Sequence, residues 1–139
     1  MENTILISFG KPHGGWLPVN FNYNDFHLNF DASDAVNYPL EELYSIITEL
    51  QDNLSRQIIW WLEPQAYFFE FEKNGDKINL HITETLDLHD ENIEKTTLLK
   101  ISAEKDKVIV PFRDALKEFC SKDYNKKDWE YEKEKLTNL

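Results

Sequence analysis

Four histidines, one cysteine and many carboxylates are the side chains of this sequence whose types could support chemistry. The histidines are His13, His27, His81 and His89. No two of them have the H-x-x-x-H spacing of a helical zinc site. Glu84 and Asp87 lie between the last two and could supply mixed oxygen and nitrogen ligands, but a strand exit rich in acids is more often a solvated rim. We therefore predict no metal and no cofactor.

Motifs for nucleophilic catalysis and phosphate binding are weak as well. Cys120 has no positioned base nearby and falls on the apolar stripe of a predicted helix, so core packing is the favoured interpretation. Gly14-Gly15 follows one predicted strand and precedes another, without the lysine or helix N-terminus that phosphate binding requires. We predict a turn there. No catalytic residue is assigned, and the sequence favours a protein that is not an enzyme.

The charge of the chain is strongly negative, -11, with 26 acids against 15 bases. Residues 121–139 are neutral, so the excess lies in residues 1–120. No lysine or arginine occurs between Pro12 and Ser55, where the acids are Asp25, Asp31, Asp34, Glu41, Glu42, Glu49 and Asp52. Such a surface repels nucleic acid and membrane headgroups and would steer a basic protein partner. Solubility alone is the alternative explanation.

Two hairpins dominate the pattern of the predicted elements. Asn74-Gly75 lies between two alternating runs and predicts a two-residue type I′ turn. This loop implies an apolar face on which Phe71 faces Ile78, Phe69 faces Leu80, and Tyr67 faces Ile82. Asn24-Asp25 predicts another hairpin, in which Phe21 opposes Leu28 and Val19 opposes Phe30. Both patterns are typical of an antiparallel sheet with one buried side.

Helical patterns complete the predicted fold. Pro39 fits the first position of a helix whose apolar spacing runs to Leu54 and covers the sheet. Val108 to Val110 has a strand-like composition, and Pro111 is predicted to open a second helix. The predicted class is α+β: one antiparallel sheet of about six to seven strands in hairpins, packed by one central and one C-terminal helix.

One domain is expected for residues 1–139, with a compact core in 1–120. Residues 121–139 are expected to form a charged tail that docks weakly as a helix or frays. No basic leader is evident, and no segment approaches the roughly 20 apolar residues that span a bilayer. A single cysteine excludes an intramolecular disulfide. The expected location is therefore the cytoplasm, without membrane contact.

Aromatic residues on the outer sheet face are the candidates for partner binding. Trp60 and Trp61 are adjacent in a strand, so they point to opposite faces and only one can join the core. Phe68 is predicted to oppose His81 on the outer face. This patch could be a recognition surface, or it could lie beneath the C-terminal segment with Trp129. The candidate partner-binding residues are Trp60, Trp61, Phe68, His81, Glu41, Glu42 and Glu49.

Several short motifs carry a resemblance to known proteins. They are Gly14-Gly15-Trp16-Leu17-Pro18-Val19, Phe30-Asp31-Ala32-Ser33, Pro39-Leu40-Glu41-Glu42-Leu43, and Trp61-Leu62-Glu63-Pro64 with Tyr67. In these motifs the chain resembles a group of small bacterial α+β proteins. Some compact acidic proteins that are similar to it in size and in hairpin-rich α+β build act as immunity proteins of toxin systems. The resemblance implies a small inhibitory binding module and brings no catalytic residues.

Two functions remain in consideration from the sequence. The first is a non-catalytic, cytoplasmic module that binds a basic protein or toxin as an immunity-type inhibitor. The second is a small ligand-binding domain or enzyme with a pocket near His13, His27 and Glu63. A flat acidic surface would favour the first, whereas a deep pocket that collects histidine and glutamate would favour the second.

Overall fold

The computed structural model describes residues 3–129, 136 and 139 of the chain. The elements are β1 (Ile5–Phe9), β2 (Trp16–Tyr23), β3 (Phe26–Ser33), α1 (Pro39–Glu49), β4 (Ser55–Trp61), β5 (Ala66–Asn74), β6 (Lys77–Thr85), β7 (Thr96–Glu104) and α2 (Lys105–Cys120). The predicted α+β class and the antiparallel pairing are confirmed. The prediction of a single sheet was wrong, because the strands form a three-stranded sheet, β1-β2-β3, and a four-stranded sheet, β4-β5-β6-β7.

The first hairpin, β2–β3, has the predicted register. Phe21 lies opposite Leu28, and Val19 lies opposite Phe30. Asn24 has a φ of 53°, a left-handed conformation that asparagine tolerates better than most residues. The loop residues and the alternating apolar pattern therefore agree on one register, and a slip by one residue would turn the apolar side chains to solvent.

The second hairpin, β5–β6, differs from the prediction by two residues. Its loop is Gly75-Asp76 rather than Asn74-Gly75, and Asn74 pairs with Lys77. Phe71 consequently lies opposite Leu80, and Phe69 lies opposite Ile82. Gly75 alone has a positive φ, 60°, which is the requirement at the first central position of a type II′ turn. Side chains alternate between the two faces of a strand, so a shift of two residues leaves each side chain on its predicted face, and the predicted apolar face is the buried one.

Helix α1 is shorter than its apolar spacing predicted. It ends at Glu49, and Leu50 is already extended, with ψ of 121°. After the helix, the backbone N–H of Asn53 donates to the carbonyl of Lys73 on β5, at 2.9 Å. The Lys73 ammonium also binds Asp52, with 2.6 Å between Nζ and Oδ1. These contacts draw the chain onto the sheet edge, and Leu54 is exposed instead of continuing the helical stripe.

Helix α2 begins earlier than predicted, at Lys105, and contains Pro111 in its interior. The strand-like segment Val108 to Val110 is helical. Its apolar residues continue the helical face across the proline, and Val108 and Phe112 are both fully buried. Burial of this face outweighs the strand preference of valine and isoleucine, since propensity differences are well below 1 kcal/mol per residue.

One hydrophobic core joins both sheets and both helices. The Phe112 ring of α2 lies among rings from the two sheets, with its centroid 6.2 Å from that of Phe21 and 5.1 Å from that of Phe71. Phe21 and Phe69 touch edge to face across the sheets at 5.4 Å. Aromatic pairs in such contacts add about 0.5–1.5 kcal/mol each to stability, beyond the contribution of their buried area. The expectation that both hairpins bury their apolar faces together is confirmed.

The C-terminal segment reaches this core through Trp129, which is fully buried. The described residues that follow α2 are turns and irregular chain rather than helix. The predicted tail helix falls mostly on residues 130–135, 137 and 138, outside the described part of the chain. Across residues 3–129, no helix has the length and apolar character that crossing a membrane requires.

Candidate functional site

Side chains from the start of α1 close the outer edge of β4. The Glu42 carboxylate accepts a hydrogen bond from the backbone N–H of Ile59, with 2.9 Å between N and Oε1. Asn37 donates from Nδ2 to the Ile59 carbonyl oxygen at 2.7 Å, and also to Glu42 Oε1 at 3.0 Å. Both backbone polar groups of Ile59 are therefore satisfied by side chains instead of a further strand. This clamp ends the four-stranded sheet at β4 and fixes α1 against it.

The electrostatic state of Glu42 follows from this position. Burial against β4 is the largest influence and raises the pKa of the Glu42 carboxyl, while the hydrogen bonds from Ile59 and Asn37 act in the opposite direction. The negative charge of Glu41 raises the pKa further. The sequence analysis placed Glu42 among the candidate partner-binding residues. In the structure, its carboxylate is held by hydrogen bonds within the fold.

A groove of about 480 Å³ runs beside this clamp between α1 and β4, and we call it the α1–β4 groove. It is lined by Tyr38, Glu41, Glu42, Ser45, Arg56 and Gln57. At one end, Arg56 Nη1 lies 2.5 Å from Ser45 Oγ and 3.4 Å from Glu49 Oε2, so the guanidinium charge is offset locally. At the other end Glu41 is exposed and forms no ion pair with any described base. The groove is therefore acidic at the Glu41 end.

Two large apolar side chains are exposed on the connector that precedes α1. Val36 is 52% exposed and Tyr38 is 46% exposed. Tyr38 also lines the α1–β4 groove, next to Glu41. The sequence analysis assigned no role to Val36 or Tyr38 and missed this feature. The available signal was that neither residue belongs to the strand pattern before it or the helical pattern after it.

The first sheet and α1 contain acidic residues and no basic ones. No lysine or arginine occurs in β1, β2, β3 or α1, whereas the second sheet and α2 carry most of the described bases. Two of the acids are paired: Glu49 lies near Arg56, and the hydrogen bond from Lys73 lowers the pKa of Asp52. Exposed acids that make no ion pair with a described residue include Asp25, Asp31 and Glu41.

The aromatic residues predicted as partner anchors are covered. Trp60 is fully buried in the main core, and Trp61 and Phe68 are only 8% and 6% exposed on the opposite face of the sheet. The prediction that one tryptophan faces away from the core is confirmed. Their cover is the segment between β6 and β7 rather than the C-terminal segment: the Lys95 ammonium lies 3.7 Å from the Phe68 ring centroid, and His89 packs edge-on against Trp61.

His81 also has a different neighbour from the predicted one. It lies opposite Glu70, and Phe68 lies opposite Thr83, because the hairpin register is shifted by two residues. The His81 ring binds Thr97, with 3.0 Å between Nε2 and Oγ1. Of the seven predicted partner-binding residues, Glu41 is thus the one that the structure leaves both exposed and without an ion pair among the described residues.

The alternative pocket of His13, His27 and Glu63 does not form. His13 bridges Trp16 at one end of β2, and His27 lies opposite Asn22 near the other end. Six residues at about 3.3 Å each separate these positions by about 20 Å. Glu63 belongs to the turn between β4 and β5, in the second sheet. Nor do three histidine, cysteine, aspartate or glutamate side chains gather into a possible metal site anywhere among the described residues.

Gly14-Gly15 is a turn, as predicted, and it holds the C-terminal segment. The Gly14 N–H donates to Asp128 Oδ1 at 3.0 Å, and the Gly15 N–H donates to the Asp128 carbonyl oxygen at 2.6 Å. Both glycines have positive φ, a conformation that lets two successive N–H groups point toward the same residue, here Asp128. Sequence reasoning could not find this contact, because its partners are 114 residues apart.

Comparison of the chain with protein-family models, with curated proteins and with solved structures found no match. The resemblance to small bacterial immunity proteins therefore rests on the short motifs alone.

Proposed function

We propose that this protein is a non-catalytic binding module that captures a basic protein partner through the exposed surface of the first sheet and α1, its proposed binding side. The observation that carries the proposal is the charge of that side. It contains no base in any of its four elements, and it exposes Asp25, Asp31 and Glu41. An immunity-type inhibitor of a basic toxin is the specific role that the motif resemblance adds.

Long-range attraction is the physical basis of this proposal. A surface with one sign of charge raises the encounter rate of an oppositely charged partner, and the effect weakens as salt increases. The Debye length is about 10 Å at 0.1 M ionic strength, so only charges near the docking site contribute at physiological salt. The position of the acids therefore matters more than the net charge.

The experiment uses two variants that change the net charge equally. The test variant carries Asp31→Lys and Glu41→Lys, on the proposed binding side. The matched control carries Glu70→Lys and Asp114→Lys, exposed positions on β5 and α2. Each protein is immobilised and used to capture partners from an extract of the source cells. Association rates with the recovered, purified partner are then measured between 50 mM and 500 mM salt.

The proposal predicts a basic partner whose association slows with salt and slows further in the test variant only. Equal losses in both variants would show that net charge alone matters, which contradicts a defined binding side. Recovery of partners that are not basic would contradict the proposal as a whole.

A further inference from the structure

We propose that the α1–β4 groove is the receptor for a single arginine side chain of the partner, held between Glu41 and the ring of Tyr38. This inference rests on the proposed function, because it names the chemical group that the acidic side recognises. It commits the groove to one occupant, a guanidinium group presented by a basic protein.

The size and form of the groove suit a side chain. Its volume of about 480 Å³ lies within the range of about 300–1,000 Å³ that is typical of ligand sites. It lies at the surface between α1 and β4, where a residue projecting from a docked protein can enter.

The charges that line the groove favour a cation. Its one base, Arg56, is already engaged by Ser45 and by the nearby carboxylate of Glu49. Glu41 and Glu42 remain at the opposite end, and Glu42 is fixed there by its bonds to Ile59 and Asn37. A cation that enters at this end meets carboxylates without approaching an uncompensated base. An anion would meet two carboxylates and gain no base that is not already engaged.

The side-chain types favour arginine over lysine. A guanidinium group is planar and can donate two parallel hydrogen bonds to a carboxylate such as Glu41. It also stacks on aromatic rings, and the Tyr38 ring is 46% exposed at the same end of the groove. An ammonium group is more strongly hydrated and has no flat face for such stacking, so it would gain less from the same site.

The test measures binding of N-acetyl-arginine amide by NMR titration of the backbone amides of the whole protein. N-acetyl-lysine amide and the uncharged N-acetyl-citrulline amide serve as comparison ligands. Arginine is expected to shift the amides of Tyr38, Glu41 and Gln57, with tighter binding than lysine and no binding of citrulline. Glu41→Gln and Tyr38→Ala should each weaken arginine binding by about fivefold to tenfold, the size of one charge-assisted bond or one cation–π contact.

Asp25→Asn is the matched control, because it removes the same charge from the exposed tip of the first hairpin. It should leave arginine binding unchanged. Equal effects of Glu41→Gln and Asp25→Asn, or shifts spread over all acidic positions, would overturn the inference. Each variant is exposed at the changed position, and its amide spectrum reports directly whether the fold is intact.

The results distinguish a wrong inference about the groove from a wrong proposed function. If a basic partner binds the Glu41→Gln and Tyr38→Ala proteins as tightly as the unchanged protein, the groove inference is wrong and the binding module stands. If arginine binds in the groove but the captured proteins are not basic, the proposed function is wrong and the arginine site stands.

Discussion

The clamp at the edge of β4 gives the sharpest prediction about stability. Glu42→Ala removes the acceptor of the Ile59 N–H and one partner of the Asn37 amide. A buried donor left without an acceptor costs about 1–3 kcal/mol. The Ile59 N–H is only partly buried, and loss of the unfavourable burial of the carboxylate returns part of the cost, so the lower half of that range applies. We expect the free energy of unfolding to fall by about 1–2 kcal/mol in this variant.

Glu42→Gln is the matched control for this change. Its side chain has nearly the same shape, and its amide oxygen can accept both the Ile59 and the Asn37 hydrogen bonds. The loss in Glu42→Gln should therefore stay below about 0.5 kcal/mol, since a weaker neutral bond is offset by removal of a partly buried charge. The two variants separate the role of the acceptor from the role of the charge.

The assay is urea denaturation at pH 7, followed by far-UV circular dichroism, for both variants and for Asn37→Ala. Unchanged denaturant slopes are needed for the midpoints to report stability alone. The double variant Asn37→Ala with Glu42→Ala should lose less than the sum of the single losses, because both side chains bind Ile59. An equal loss in Glu42→Gln and Glu42→Ala would refute the reasoning, since the charge and not the hydrogen bond would then stabilise the edge.

Three further predictions follow from single contacts. Burial raises the pKa of Glu42, so the folded protein holds a proton on this carboxyl more tightly than the unfolded chain does. The stability of the unchanged protein relative to Glu42→Gln should therefore fall as pH rises from about 4 to 7. Denaturation series at successive pH values measure this difference. Phe69→Ala should cost about 3–5 kcal/mol in chemical denaturation, and Gly75→Val should cost less, about 1–3 kcal/mol, because only a positive φ is strained there. Gly15→Ala places a Cβ 3.1 Å from an Asp34 carboxylate oxygen at a φ of 84°, so it should loosen the Asp128 contact. The part of the tryptophan emission that Trp129→Phe removes should then shift to longer wavelength, and an unchanged difference spectrum would contradict this role of the turn.

The two hairpins show how far a sequence pattern specifies a register. Asn24-Asp25 has flanking strands whose apolar residues pair in only one way around that loop, and the prediction was correct for every pair. Around Gly75 the pattern permits two loops that differ by one residue; their registers differ by two residues and bury the same side chains. The structure selects the loop that puts the positive φ on glycine at the first central position, a preference that side-chain alternation does not contain.

The candidate site was less predictable because it depends on contacts between distant elements. The acidic character of residues 12–55 and the exposure of Glu41 are visible in the sequence. The bond between Glu42 and the Ile59 backbone is not, because it requires the packing angle of α1 on β4. Likewise, the alternation of Trp60 and Trp61 indicated opposite faces. Nothing local indicated that His89 would cover Trp61, or that Lys95 would cover Phe68 on the same face.

The closed edge of β4 also bears on aggregation. This strand ends in the run Ile58-Ile59-Trp60-Trp61, which Leu62 follows; the run is apolar, uncharged and rich in strand-forming residues, the composition typical of segments that stack into cross-β fibrils. An unpaired edge of that kind can recruit the same strand from another molecule. Asn37 and Glu42 occupy the backbone groups of Ile59 with side chains that cannot propagate a sheet. Asn37 and the first turn of α1 therefore keep this apolar strand from adding a foreign neighbour at Ile59.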